Sequence, residues 1–321
     1  MRLICTGVAM LLALHGAALA QGAFPTRPIT LVVGSAPGGG LDTVARVYGE
    51  ALGNELGQPI LVVNRAGAGT TMGAESVARS PADGYTLLLA SASLFGGDQY
   101  LYKTARYEPK DFLPITRISQ AALLLSVNKN SGLTSVADLL AKAKQSPGKY
   151  NFSTGGAGTI IHVAAVHFME LAKVQLTHVP YKGGGPSSAA LAAGDVHLSF
   201  STAASVKPMV AAGKVDVLAV TSATRFRLEP SYPTIAESGV PGYDISNFFG
   251  IFAPANIPPA VAERLYAASV KVLNDPDLKR NLALKGEDAA PSASMAEFRE
   301  FALREGQRSA ALLKQSGAKV D

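Results

Sequence analysis

The sequence predicts an α/β protein of two lobes, each a mostly parallel sheet flanked by helices. Two observations carry this expectation. Short continuous apolar runs rich in branched residues alternate with amphipathic helical patterns, as in sheets buried on both faces. A strand–glycine loop–helix unit at 28–46, PITLVVGSAPGGGLDTVAR, then recurs at 150–173. Glycines in such a loop let the backbone approach a ligand closely, and the free N–H groups of the first helical turn favour an anion. Either loop alone is compatible with an empty tight turn or with a phosphate, carboxylate or dinucleotide site. Two of them, facing each other from two lobes, can grip one small anion from both sides.

The chain opens with Met1-Arg2, an apolar run over 3–14 and the ending Ala18-Leu19-Ala20, the pattern of a secretory signal peptide cleaved after Ala20. That run is too short for a membrane span, and no later stretch is an uninterrupted apolar run of about 18 residues. Export to the periplasm is the expectation. Cys5 is the single cysteine and lies in this leader, so the mature chain is expected to have no thiol, disulfide or cysteine metal site. Its stability must come from a core, and 48% hydrophobic residues in a chain of 321 suffice for two. Loss of Arg2 takes the formal charge from +5 to +4. That mild basicity suits a small anion. No Lys/Arg cluster is interleaved with aromatics, so nucleic acid is not an expected partner.

In chain order, 29–33 reads as a buried strand and 41–56 as an amphipathic helix, ended by Gly57 with Pro59 beyond. A strand at 59–63 leads into Gly67-x-Gly69-x-x-x-Gly73, one residue too long for a dinucleotide fingerprint and better read as a close-packed turn. The strand at 85–90 ends in Ser91-Ala92-Ser93, whose hydroxyls either face the crevice at the carboxyl end of a parallel strand or cap the next short helix. Strands at 112–118 and 123–127 are expected to be joined through 119–122. Ser135-x-x-Asp138 opens a helix in capping-box fashion. A strand at 150–153, the loop Thr154-Gly155-Gly156-Ala157-Gly158 and a helix over 159–173 form the second unit. His162 and His167 on that helix are at i and i+5, so they point to different faces, and no H-E-x-x-H exists. After a strand at 174–180, Tyr181-Lys182-Gly183-Gly184-Gly185 is a third glycine loop opening a helix. Strands at 196–200 and 215–220 bracket a helix around 207–212. The turn-rich stretch 222–244 reads as a return crossing between lobes, followed by a strand at 247–253. Helices then begin at Pro258-Pro259, near Asp277, and at Ser294-x-x-Glu297. The last, rich in alternating charge, reads as a solvated outer face. The lobes are expected over 24–120 with 245–321, and over 121–244.

PTRPITLVV (25–33), PGGGLDTVAR (37–46), NRAGAGTTMGAE (64–75), PADGYTLLL (81–89), STGGAG (153–158), VPYKGGGP (179–186), GDVHLSF (194–200), LAVTS (218–222) and PTIAESGVPGY (233–243) occur in this order along the mature chain. In this series the sequence resembles the Bug-type (TctC-like) periplasmic substrate-binding proteins of tripartite tricarboxylate transporters. The resemblance implies a type II periplasmic binding fold that closes over a carboxylate-bearing solute and delivers it to membrane transporter subunits, as a monomer and with no cofactor. It also implies that the loops matching Pro37–Asp42 and Ser153–Thr159 hold one carboxylate. The candidate ligand contacts are therefore Ser35, Pro37, Gly38, Gly39, Gly40 and Asp42 in the first loop, with Ser91 and Ser93 beside it. In the second lobe they are Ser153, Thr154, Gly155, Gly156, Thr159 and His162, then Tyr181, Gly183 and Ser201. Many relatives carry a proline and an aromatic where this chain has Gly34 and Ser35, and an acid at the position of Ser201. The missing acid argues against an amino-acid ligand, and the missing aromatic implies a roomier or more polar pocket mouth.

An exported enzyme is the competing class. No G-x-S-x-G elbow, P-loop or metal-ligand cluster is present in the sequence. A periplasmic sensor that presents its closed form to a signalling partner would need the same closure as a transport receptor.

Overall fold

The computed structural model describes residues 24–317, so the expected leader and its cleavage site lie outside the described residues. Among the described residues eleven strands form two sheets, and the chain passes from the first to the second as nearly continuous strand.

In the first lobe, β1 (Ile29–Val33), β2 (Ile60–Asn64) and β3 (Thr86–Ala90) pair in parallel, with Leu31 opposite both Val62 and Leu87. Each is followed by a helix or helical turn. These are α1 (Gly40–Leu56) after β1, α2 (Thr71–Ala78) after β2, and a short turn leading to α3 (Gly97–Leu101) after β3. β10 (Ser246–Pro254) runs antiparallel between β3 and β4 (Phe112–Ala122), and β11 (Asp288–Ala289) completes the order β11-β4-β10-β3-β1-β2. The second sheet has the order β7-β6-β8-β5-β9. Its strands are β5 (Leu124–Asn128), β6 (Asn151–Thr154), β7 (Thr177–Pro180), β8 (Leu198–Ser201) and β9 (Val215–Val220). Helices α4 (Val136–Gln145), α5 (Ile160–Ala172), α6 (Gly184–Ala193) and α7 (Ala203–Ala211) connect them. Each sheet is mixed, because one reversed strand, β10 or β5, is inserted among strands that otherwise mostly share a direction.

Apolar faces explain the layers. Val44, Tyr48 and Leu52 on α1 meet Ile29, Leu31 and Val33 on one side of the first sheet, together with Leu265 of α8 (Pro259–Asn274) and Leu282 of α9 (Pro276–Leu284). The second lobe packs Leu125, Phe152, Phe168 and Phe200. Full burial of side chains this size stabilises by about 1.5–3 kcal/mol each.

Two sequence expectations change here. The stretch 119–122 is not a joint: β4 continues through it and, past Leu123, becomes β5, so the chain crosses between lobes as strand. The last helix, α10 (Met295–Gln315), is not an outer face alone. Phe298 and Ala302 are fully buried against the first lobe, while Leu313 enters the core of the second. Arg308 on α10 reaches the Asp244 carbonyl at 2.6 Å, and Arg227 pairs with Asp288 across the same seam. Near it, the Ser119 hydroxyl donates to Glu287 Oε2 at 2.6 Å, while Glu287 Oε1 is buried without a partner. Burial pushes the Glu287 carboxyl up to about 8, only partly offset by the Ser119 bond.

Candidate functional site

The first glycine loop is held from its own lobe. Gly38 has φ +83, a conformation that favours glycine. Its N–H donates to Asp42 Oδ2 at 3.0 Å. Arg46 grips the same carboxylate through Nε at 3.1 Å and Nη2 at 2.8 Å, and Asn64 Nδ2 donates to Oδ1 at 2.9 Å and to the Ser35 carbonyl at 2.9 Å. Burial raises the Asp42 carboxyl, but the bonds from Arg46, Gly38 and Asn64 outweigh it and hold the group below the usual carboxylate range.

The second loop is also held from beneath. Thr154 Oγ1 accepts the Gly156 N–H at 3.1 Å and lies 2.7 Å from His178 Nε2, while the Gly158 N–H donates to His162 Nδ1 at 3.2 Å. The third loop meets the first across the cleft. The Ala36 N–H donates to the Lys182 carbonyl at 2.9 Å, and a Cβ on Gly39 would stand 3.2 Å from Gly184 N. Beside them, a Cβ on Gly40 would lie 2.6 Å from Thr202 Oγ1. The two lobes therefore touch through backbone.

Between these loops is a cavity of about 60 Å³, room for a few waters or the head of a small carboxylate. Four helices begin at its wall: α1, α5, α6 and α7, whose N-cap residues are Gly39, Thr159, Gly183 and Thr202. None of the four has a side-chain cap bond to its first-turn N–H groups. First-turn N–H groups without side-chain caps and the positive ends of four helix dipoles converge on one space that has no cationic side chain in its lining. Ser35 adds a buried hydroxyl without a partner. Two larger grooves, of about 570 and 770 Å³, lie on the outside of the first lobe along α1 and are open to solvent. Convergent donors, not size, single out the cleft. Among the described residues no group of three or more His, Cys, Asp or Glu could hold a metal, and no helix is long and apolar enough to cross a membrane.

The profile of the family described as "Tripartite tricarboxylate transporter family receptor" (TctC) matches residues 44–318. The chain belongs to this family. Receptors of the family are periplasmic solute-binding proteins. The chain is 37% identical over 274 residues to the UPF0065 protein in the tcbD-tcbE intergenic region of Pseudomonas sp. strain P51, covering 84% of this chain and 81% of that one. It is 33% identical to protein BugT of Bordetella pertussis, over 92% and 91% of the two chains. Among solved structures, an R. palustris protein with adipate superposes with TM-score 0.89 at 34% identity, covering 92% of this chain and 100% of that one. MatC from Rhodopseudomonas palustris with bound malate gives 0.84 at 29% identity, covering 90% and 100%. The type II two-lobed fold expected from the sequence is therefore that of this TctC receptor.

Of the residues singled out in the sequence, Ser35, Gly39, Gly40, Ser91, Gly155, Thr159 and Gly183 line the cavity. The others do not line it. Asp42 is held within its own lobe by Gly38, Arg46 and Asn64. Thr154 is fully buried with its hydroxyl committed to His178 and Gly156, and Ser153 bonds the Ser187 hydroxyl at 2.8 Å. His162 stacks on His178, with ring centroids 4.3 Å apart, and lies under the loop. Gly156 packs against Gly69 of the other lobe. Pro37 and Gly38 are exposed and stand against Gly185 of the third loop, while Ser93, Tyr181 and Ser201 are not in the lining. Ser201 is buried with its hydroxyl unpartnered at the end of β8, one residue before Thr202, which lines the cavity. Residues not anticipated are Leu41, Thr70, Ile160, Ile161, Gly184, Thr202 and Phe249. Thr202 follows β8 as Ser91 follows β3, so the rule that selected Ser91 would have found it. Phe249 belongs to β10, the antiparallel strand of the first sheet, and carries no local mark.

Proposed function

We propose that this TctC receptor captures a small carboxylate-bearing solute between its lobes, over 24–120 with 245–321 and over 121–244, and delivers it to tripartite tricarboxylate-type membrane subunits. The observation that carries this reading is the meeting of four helix N-termini, none side-chain capped, around one cavity. A helix terminus in partly buried geometry contributes up to about 2 kcal/mol to an anion. Four of them, with hydrogen bonds from Ser35 and from first-turn N–H groups, can supply the roughly 8 kcal/mol of a micromolar complex. The ligand contacts we propose are Ser35, Gly39, Gly40, Ser91, Gly155, Thr159, Gly183 and Thr202. Relatives solved with adipate and with malate support a carboxylate as the class.

A thermal-shift screen of mono-, di- and tricarboxylates tests the reading, since a ligand that binds only the folded state raises its melting point. A carboxylate that raises it and is recovered unchanged in mass is the expected result. No shift with any carboxylate would sink the proposal. Uptake of that solute by cells carrying the membrane subunits, lost when the receptor is deleted, tests delivery. Intact mass of the periplasmic protein, expected to begin at Gln21, tests export.

A further inference from the structure

We propose that His178 and His162 are positioning residues, which set the anion-binding end of α5 from beneath through two buried imidazole acceptors. The inference rests on the carboxylate reading above for its consequence, though not for its geometry. Gly156 gives its N–H to Thr154 Oγ1, and among the described residues the only acceptor within reach of that hydroxyl's own proton is His178 Nε2, at 2.7 Å. A buried hydroxyl whose proton has no acceptor is costly, so the proton goes to Nε2. His178 is then the neutral tautomer protonated at Nδ1. His162 accepts the Gly158 N–H at Nδ1, 3.2 Å away, and is therefore the opposite tautomer, protonated at Nε2. The two rings are stacked at 12°, and Phe152 lies beside the pair, nearly parallel to both, 4.9 Å from His178 and 6.4 Å from His162. β6 and β7 fix this stack, because their parallel register sets Phe152 opposite His178.

Both imidazoles must stay neutral, since an imidazolium has no acceptor. Burial does this, with the neighbouring ring adding to it at His162. His162 is pushed down to about 3 and His178 to about 4. The result is a division of donors. The N–H groups of Gly156 and Gly158 are drawn down into the lobe, while Ile160 and Ile161, in the first turn of α5, line the cavity. Both glycines have positive φ, +129 and +82, so without these acceptors the loop has wide freedom to turn. Such a turn would also disturb closure, since a Cβ on Gly156 would stand only 3.2 Å from Gly69 Cα of the other lobe.

The test compares substitutions that separate accepting from stacking. His178→Phe and His162→Phe keep a ring and lose the acceptor. His178→Gln and His162→Asn lose the ring but place an amide oxygen where Nε2 and Nδ1 stood. With adipate and malate as probes in calorimetry, we expect the Phe variants to lose about tenfold or more in affinity and the Gln and Asn variants to regain most of it. A packing role predicts the reverse order, and that order would overturn the proposal. In the unliganded wild type, ring-nitrogen NMR is expected to show His178 protonated at Nδ1 and His162 at Nε2, and the opposite tautomers would overturn it too. If the wild type binds neither probe, the choice of these two dicarboxylates is what fails, and the wider carboxylate screen decides the reading of the site. Amide exchange at Gly156 and Gly158 then decides the positioning by itself. Faster exchange in the Phe variants, restored by Gln and Asn, supports it, and unchanged exchange refutes it. Should a Phe variant fail to fold, the wild-type tautomers and the Gln and Asn variants still decide.

Discussion

Gly40→Ala should weaken ligand binding without weakening the fold, because the space its methyl needs belongs to the other lobe. Gly40 is the first residue of α1 and its φ is not in the left-handed region, so alanine is accepted there and is the better helix former. The new Cβ would lie 2.6 Å from Thr202 Oγ1 and 2.9 Å from Thr202 Cβ and Cγ2. Ordinary contact begins near 3.4 Å, so the seam must open by roughly 0.5–1 Å. The Ala36–Lys182 hydrogen bond at 2.9 Å runs along that seam and would stretch or break. One such bond is worth about 0.5–1.5 kcal/mol, and the loosened packing adds a similar amount. The total, about 1.5–3 kcal/mol, is roughly a ten- to hundredfold loss of affinity. Calorimetry with adipate or malate measures it, beside unliganded melting, which should be unchanged or slightly raised. Thr202→Gly removes all three opposing atoms and leaves a tolerated N-cap residue. Because Thr202 is also a proposed ligand contact, Thr202→Gly costs affinity by itself, and the test is the coupling: in a double-mutant cycle the double variant should bind better than the two single losses added together predict. Wild-type affinity in Gly40→Ala, or losses that simply add, would refute closure through this contact.

Gly39→Val should abolish binding while sparing unliganded stability, since its Cβ would stand 3.2 Å from Gly184 N and 3.3 Å from Gly185 N of the other lobe. Retained binding in calorimetry would mean that the lobes do not approach here. Ser201→Asp should lower the melting temperature sharply instead of retuning specificity, because it buries a carboxylate where the serine hydroxyl already lacks a partner. Ser201→Ala should melt like the wild type, and an aspartate variant of normal stability would refute this. Glu287 should make stability fall as pH rises. Its carboxyl is raised from 4.5 to about 8 on folding, so the stability it contributes is fully present below 4.5 and lost by about pH 8. Glu287→Gln should flatten that profile and gain about 3 kcal/mol at pH 7, and melting curves from pH 4.5 to 8 that keep the same slope would exclude the assignment.

What was legible in the sequence is what local chemistry specifies. The apolar runs at 29–33 and 86–90 are strands because branched side chains suit a sheet covered on both faces. Ser135 and Ser294 cap their helices as read, each accepting the N–H three residues on at 3.0 Å. The glycine loops were legible for the same reason, since a positive φ at Gly38 or Gly183 is a demand on one residue. The roles of side chains around those loops were not. Thr154 is read in sequence from its glycine loop alone; its partner, His178, lies on the next strand, and only the β6–β7 register makes them neighbours. His162 and His178 belong to different elements, so neither helical periodicity nor a metal-ligand spacing joins them. The crossing at 119–124 carries no glycine or proline, and β-structure needs none to continue from one sheet into another. Reading outward from each loop therefore finds the donors of the site and the acceptors within four residues of them, Asp42 for Gly38, Thr154 for Gly156 and His162 for Gly158. What holds those acceptors in turn, Asn64 behind Asp42 and His178 behind Thr154, stands 22 and 24 residues away and is brought near only by the pairing of neighbouring strands.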